Sequence, residues 1–555
     1  MSDPLAPLEI VVNGVAAPFR EGVVAVGAVE VEVRATDDGA GRRYELTLRN
    51  AGRDEVALER GGILFASTAE TVLETGYQSW SVIRRARLDD VRPERLELGD
   101  WERGCHVADP SVAGRHVAGD QYLVTDGGAV GFLDARSHLS TVVAAPGSLL
   151  ATALLDGVPL APGAQRRLDP LWVAAGDPGA RYSELAERWG REAGARVNGP
   201  APLGWCSWYQ YFSNVTPEHV RANLALAAAH DFEVVQIDDG YQAAIGDWLS
   251  TTDEWSIGMA AMAKEIRSAG LVAGIWTAPF LATDGSRLLA DHPDWTATHA
   301  SGHPAKAMYN PGNWGGWARA LDTTRPEVLD HLRVTFAALR DQGFDYHKID
   351  FCYAAALEAR RHDPTKTRAE SLRMGLEAVR DGIGDDAFLL GCGCPFGPAV
   401  GIVDAMRVSA DVGPWWDPPA SRPGIAETAP AAVNAIAASV LRAPLHRRLF
   451  VNDPDCLLLR PTDTGLEAWQ RSFLASVITG TGSFTLVSDD LALWTDAEWA
   501  LLDAIRSVHH DVDTPLDIVD PFADPLVVRS QVGTSLTVDW RSDAPGGPVA
   551  QLGIS

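Results

Sequence analysis

The sequence predicts a multidomain α/β and β protein: a central (β/α)8 TIM barrel with an N-terminal β-sandwich and a small C-terminal β-domain. The main observation is that short apolar runs alternate with helix-length amphipathic segments over about 300 residues. Before this stretch the chain reads as short strands of alternating polarity broken by Gly, Asp and Pro. After about residue 512 the strand pattern returns.

Taken in order, residues 1–180 carry the runs "LEIVVNG", "VEVEVRATD", "RRYELTLRN", "VALERGGILFA", "STVVAAPG" and "LWVAAG", the period-two pattern of a half-buried sandwich. Residues 181–200 form a helical linker that ends in the Pro and Gly cluster "GPAPLG". From 201 to 511 eight apolar runs follow: "LGWCSW", "VVQID", "VAGIWTAP", "YHKIDF", "FLLGCG", "AMRVSAD", "LFVNDPD" and "GSFTLVS". Between them lie helix candidates such as "TPEHVRANLALAAAHD" and "RPEVLDHLRVTFAALRDQG", with Thr or Pro start signals and one long insertion after the third strand. A doubly wound open sheet is the rival, but no glycine-rich phosphate loop follows the first strand. The C-terminal β-domain, 512–555, contains "PLVVRSQ" and "SLTVDWRS".

Composition narrows the function classes. Hydrophobic residues at 46% and charged residues at 22% describe a soluble globular chain. A formal charge of −27 disfavours nucleic acid and anionic membrane as partners and suits a small neutral substrate. The N-terminus lacks a basic region followed by an apolar stretch, so a cytoplasmic location is expected. Six sparse cysteines, Cys105, Cys206, Cys352, Cys392, Cys394 and Cys456, read as reduced thiols. Cys392 and Cys394 form only a CxC with no histidine nearby, so neither a metal nor a cofactor is expected.

Polar residues at the C-terminal ends of barrel strands line the active site of this fold. Here the second run ends in Asp238 and Asp239, the third in Trp276, the fourth in Lys348 and Asp350, the sixth in Arg407 and Asp411, and the seventh in Asn452, Asp453 and Asp455. Strand alternation puts Lys348 and Asp350 on one face, and Arg407 and Asp411 on another that can share the same cavity. A lysine beside Asp350 would hold it ionised, as a nucleophile needs, while a less paired Asp411 would keep a raised pKa and serve as an acid. Each piece has a plainer explanation. A strand-end Asp is commonly a helix cap, the Lys348–Asp350 pair could be an ion pair fixing the barrel, and Trp205 and Trp208 could be core. Convergence from five strands exceeds what capping needs. Two carboxylates and tryptophan around an uncharged polyol suggest glycoside hydrolysis.

The motifs "GWCSWYQYF", "QIDDGYQAAIGDW", "GIWTAPF", "HKIDF", "LLGCGCPFGPAVGIVDAMR" and "NDPDCLLLR" together resemble the bacterial α-galactosidases (melibiases) of glycoside hydrolase family 36, closely over about residues 200 to 490. The resemblance implies a retaining, exo-acting α-galactosidase with Asp350 as nucleophile and Asp411 as general acid/base. It also implies Asp238, Asp239, Trp276, Lys348, Cys392, Gly393 and Arg407 as sugar-binding positions. The stretch "TGYQSWS" resembles a loop that reaches the barrel mouth, so Trp80 is expected to close the site. The same mechanism on α-N-acetylgalactosamine or another α-linked sugar is the nearest alternative. A Schiff-base aldolase built on Lys348 and a non-catalytic sugar-binding protein are the alternatives from other classes.

Overall fold

In the N-terminal region the alternation of Val29–Asp38 and Gly41–Asn50 turns Val29, Val31, Val33, Tyr44, Leu46 and Leu48 to one buried face. These strands belong to a nine-stranded antiparallel sheet that packs on a six-stranded one, and Ile10, Ile63, Phe65, Val142 and Leu149 of the second sheet complete a shared core. The computed structural model describes residues 5–89, 117–418, 428–482, 484–539 and 549–554. Cys105 lies outside the described residues.

The helix Pro178–Ala193 starts where the Asp177 side chain accepts from the backbone of Ala180, and it ends at Gly194 in the left-handed conformation. It wedges between sandwich and barrel: the hydroxyl of Tyr182 meets that of Tyr122 at 2.8 Å and also donates to the carbonyl of Leu441.

The eight apolar runs become the eight strands of one parallel sheet: β1 (Leu203–Cys206), β2 (Val234–Ile237), β3 (Val272–Thr277), β4 (Tyr346–Ile349), β5 (Phe388–Gly391), β6 (Ala405–Arg407), β7 (Val451–Asp453) and β8 (Thr485–Val487). Their order is β7-β6-β5-β4-β3-β2-β1-β8, the sequence of a (β/α)8 barrel. Burial on both faces explains why the runs are continuously apolar rather than alternating. Thr216 before the helix Pro217–Ala229 and Thr367 before Arg368–Ile383 each close a capping box, which fixes where those helices start. The long insertion after β3 folds as a three-stranded antiparallel sheet, Leu281–Thr283, Lys306–Asn310 and Gly316–Ala320. Four antiparallel strands from Leu516 to Ile554 form the C-terminal sheet. Its Leu516, Leu526, Leu536 and Val538 join the same core as the barrel.

Among the described residues no ladder joins β7 to β8, and the barrel closes there through an isolated bridge and side chains. Leu457 bridges Val487 in parallel, and the buried Asp489 carboxylate accepts from the backbone of Leu459 and Arg460, from the Arg460 guanidinium at 2.8 Å and from the Trp494 indole. The Asp489 carbonyl takes the Trp205 indole N–H of β1, which makes Trp205 a core residue. Replacing Asp489 by Ala strands a buried guanidinium and is expected to cost about 3–5 kcal/mol. Chemical denaturation would measure it, and a loss below about 1 kcal/mol would mean that the backbone bridge alone closes the barrel.

Candidate active site

Asp238 and Asp239 follow the last residue of β2. The Asp238 backbone donates to Ser207 Oγ at 3.0 Å, and the Asp239 backbone donates to Asp238 Oδ1 at 3.0 Å, so the turn is fixed before either side chain is used. Lys348 Nζ donates to Asp238 Oδ2 at 2.8 Å, and Gln236 Nε2 donates to the same oxygen at 2.6 Å. This corrects the sequence reading, which paired Lys348 with Asp350. Residues two apart on a strand share a face but are separated by two residues of rise, whereas alternate strands of a barrel place their inward side chains in one layer. Lys348 of β4 therefore meets Asp238 of β2. Burial opposes the ammonium charge, but the Asp238 carboxylate prevails and its pKa lies well above the ordinary lysine value.

Among the described residues Asp350 forms no ion pair. Its Oδ2 accepts the Trp276 indole N–H at 3.0 Å from β3, and its Oδ1 accepts the backbone N–H of Phe351 at 2.7 Å. Asp239 is held similarly, by the Trp314 indole at 2.9 Å on Oδ2 and the Gln242 amide at 2.5 Å on Oδ1. Burial pushes Asp239 up to about 6, with Asp238 and Asp350 adding to the rise and the two donors opposing it.

Arg407 is buried among three carboxylates: Asp411 at 3.2 Å, Asp453 at 3.1 Å and Asp455 at 2.7 Å. Asp455 also accepts from the Tyr209 hydroxyl and from the backbone of Val412 at 2.7 Å, which anchors the residue next to Asp411. Asp411 Oδ1 accepts the indole N–H of Trp80 at 3.1 Å, from the loop between the N-terminal strands. Burial and the nearby Asp455 push Asp411 up to about 6; Arg407 and Trp80 pull the other way. Its side chain keeps 28% exposure, directed into a cavity ringed by protein.

That cavity measures about 80 Å³ and is lined by Asp238, Asp239, Trp276, Lys348, Asp350, Arg407, Asp411 and Trp80. Cys392 and Gly393 do not line it. They lie one layer back, where Cys392 packs on Trp80 and a Cβ on Gly393 would come within 2.4 Å of the Trp80 ring. Gly393 sits at φ +50°, and it is there because the indole leaves no room for a side chain. Asn310, Asn313 and Trp314 of the inserted sheet and Trp208, Tyr209 and Phe351 also line the cavity. The insertion residues have a sequence signal, "NPGNWGGW", a tight turn carrying Trp and Asn, but nothing local says that this turn reaches the barrel mouth. Among the described residues no cluster of three or more His, Cys, Asp or Glu is arranged to hold a metal ion, and no helix is long and apolar enough to cross a membrane. A larger cavity, about 700 Å³, opens at the other end of the barrel, beside Val234, Val272, Tyr346 and Phe388. That end serves stability in this fold, and its acids are tied up in the framework: Asp385 and Asp404 pair with Arg196, Asp345 and Asp386 with Arg340, and Glu233 accepts from the Leu203 backbone.

The profile of the melibiase family matches residues 205–380. The chain is 27% identical over 157 residues to an α-galactosidase of Escherichia coli, covering 27% of this chain and 21% of that protein. It is 28% identical over 209 residues to an A type blood α-D-galactosamine galactosaminidase of Flavonifractor plautii, covering 35% of this chain and 19% of that protein. The chain thus spans about a fifth of the length of these curated relatives. Among solved structures, TtGalA, an α-galactosidase of Thermus thermophilus in complex with p-nitrophenyl α-D-galactopyranoside, superposes with a TM-score of 0.73 at 27% identity, covering 92% of this chain and 98% of that one.

The raised carboxyl at Asp411 has a stability signature. A carboxyl whose folded pKa is about 6 binds its proton more tightly folded than unfolded, so its contribution to stability falls as pH rises from about 4 through 6. The stability of the native chain minus that of Asp411→Asn is therefore expected to decline over that window and level off above it. Thermal unfolding of both proteins at a series of pH values checks this, and a difference that rises with pH would contradict the burial argument.

Proposed function

We propose that this chain is a member of the melibiase family, a retaining, exo-acting α-galactosidase that removes terminal non-reducing α-linked galactose by double displacement. One observation carries the reading: Asp350 and Asp411 face a single small cavity, and burial holds Asp411 near pKa 6, where a carboxyl can both give and take a proton at working pH. Asp350 attacks the anomeric carbon as Asp411 protonates the departing glycosidic oxygen, so the C1–O bond breaks as the C1–Asp350 ester forms. Asp411, now a carboxylate, then takes a proton from water, whose oxygen attacks C1 and releases Asp350. Two inversions give net retention.

The remaining groups orient the sugar. The Trp276 and Phe351 N–H groups hold both Asp350 oxygens without neutralising the charge. Lys348 gives one donor to Asp238 and keeps two for sugar hydroxyls, while Asp239 accepts from them. Arg407 fixes the arm that carries Asp411. A cavity of about 80 Å³ has the space of several waters, on a scale where one water needs about 10–15 Å³, which favours one terminal sugar ring over a continuous chain and so supports exo action.

Removing either carboxyl should leave a folded protein with little turnover. In kcat/KM, which reads the first step, Asp411→Ala is expected to lose about 10²–10⁴-fold on alkyl galactosides and far less on nitrophenyl galactoside, whose leaving group needs no acid. Azide should restore turnover in both variants, giving the β-galactosyl azide with Asp350→Ala and the α-azide with Asp411→Ala. Product anomers read by NMR test this, and near-native activity of Asp350→Ala would remove the assignment. Rates across α-galactosides, α-N-acetylgalactosaminides and α-glucosides fix the sugar, with α-galactosides expected fastest.

A further inference from the structure

Arg442 is fully buried at the end of the helix Ala432–Leu441, and among the described residues it forms no ion pair. A buried guanidinium without a carboxylate is costly and calls for a reason. Its hydrogen bonds supply one. Nη1 donates to the carbonyl of Ser79 at 3.1 Å and to that of Val408 at 2.5 Å, and Nη2 donates to the carbonyl of Ser81 at 2.9 Å. The guanidinium thus grips the backbone on both sides of Trp80 and joins it to Val408, three residues before Asp411. Its plane also lies over the Phe396 ring at 5.2 Å. Burial pulls its pKa down to about 10, so it stays charged wherever the protein works.

We propose that Arg442 is a positioning residue that holds the Trp80 indole N–H on Asp411. The clamp acts on backbone carbonyls, so the loop is located without spending a charge partner in the cavity. The second fixing point is weaker: Ser79 Oγ accepts from the backbone of Gly393 at 3.2 Å. The inference rests on the acid/base reading of Asp411. Other groups act on that carboxyl: Arg407 from its own strand, Asp350 from β4, Asp455 from the segment after β7, Tyr209 from the turn after β1 and Cys392 from the end of β5. Arg407 is itself shared with Asp453. Of the donors on Asp411, Trp80 is the one carried by a loop from outside the barrel.

The sign follows from the donor. An indole N–H favours the carboxylate form, so losing it raises the Asp411 pKa and moves the alkaline limb of kcat/KM to higher pH, by roughly one unit. Trp80→Phe and Arg442→Met are each expected to produce that shift, and their combination to add nothing further, because both remove one hydrogen bond. Arg442→Lys, able to reach some of the three carbonyls, should return part of the way. A limb that stays put in Arg442→Met, or a double variant whose shift is the sum of the two, overturns the proposal. If Arg442→Met does not fold, Arg442→Lys in the Trp80→Phe background decides, and any further shift there counts against it. Asp411→Asn separates the two ideas: a limb that survives this change belongs to another group and sinks the acid/base reading. A crystal structure of Arg442→Lys and of Arg442→Met then reads the clamp directly, with Trp80 displaced from Asp411 in the Met variant if the clamp is real. Trp80 still within 3.1 Å of Asp411 in that variant would refute it independently of any kinetics.

Discussion

Arg407 meets Asp411, Asp453 and Asp455 at once, while Lys348 meets Asp238. With Asp239 and Asp350 the barrel mouth holds six carboxylates against two cations, and the rest of the site follows from how that imbalance is shared. The cations go mainly to the framework acids, which sit deepest. Of the four acids that line the cavity, Asp238 takes the lysine and the other three each receive an indole: Trp276 on Asp350, Trp314 on Asp239 and Trp80 on Asp411. An indole N–H orients a carboxylate without cancelling its charge. It also leaves the ring available as an apolar wall. Had a second arginine taken the place of Trp80, Asp411 would be pulled down toward full ionisation and would lose its proton at working pH.

The barrel was legible in the sequence because burial of a parallel sheet on both faces writes itself as short continuous apolar runs, and each of the eight runs contains one strand of the parallel sheet. The clustering of strand-end acids was legible for a related reason, since strand ends of this fold open onto one cavity. What periodicity could not supply was distance between strands. It placed Lys348 and Asp350 on one face, yet the pairing was decided by layering across strands, and Asp238 took the lysine. Trp314 was invisible because its role depends on where a long insertion lands. Cys392 and Gly393, which the resemblance implies as sugar-binding positions, lie one layer behind the cavity against the Trp80 ring, a depth that motif similarity does not carry.

The three indoles come from three kinds of structure, and this has a consequence for how the site can fail. Trp276 is on a barrel strand, Trp314 is on the inserted sheet and Trp80 is on the N-terminal sandwich. Asp350 therefore depends only on the barrel. Asp411 depends on contact between the sandwich and the barrel.

That contact has an apolar part, where Leu73, Tyr77, Tyr122 and Trp172 share the barrel's core, and a set of polar clamps. Arg166 meets Glu370, Arg368 meets Asp156, the Thr367 hydroxyl donates to the Ser137 carbonyl, and Arg442 grips Ser79 and Ser81. Polar clamps across a junction are geometrically exact but weaken together once water enters, because each loses the low dielectric that strengthened it. Loosening of the sandwich should thus reach Asp411 before it reaches the barrel core or Asp350. Under mild destabilisation the two carboxyls would part company: Asp350 stays held by Trp276 and its own backbone, while Asp411 loses the indole and binds its proton more tightly. In the proposed double displacement, the step that needs a carboxylate at Asp411, removal of the proton from water, would then slow while protonation of the leaving group persisted. The glycosyl ester proposed on Asp350 would then accumulate, and the resting species would change before the fold did.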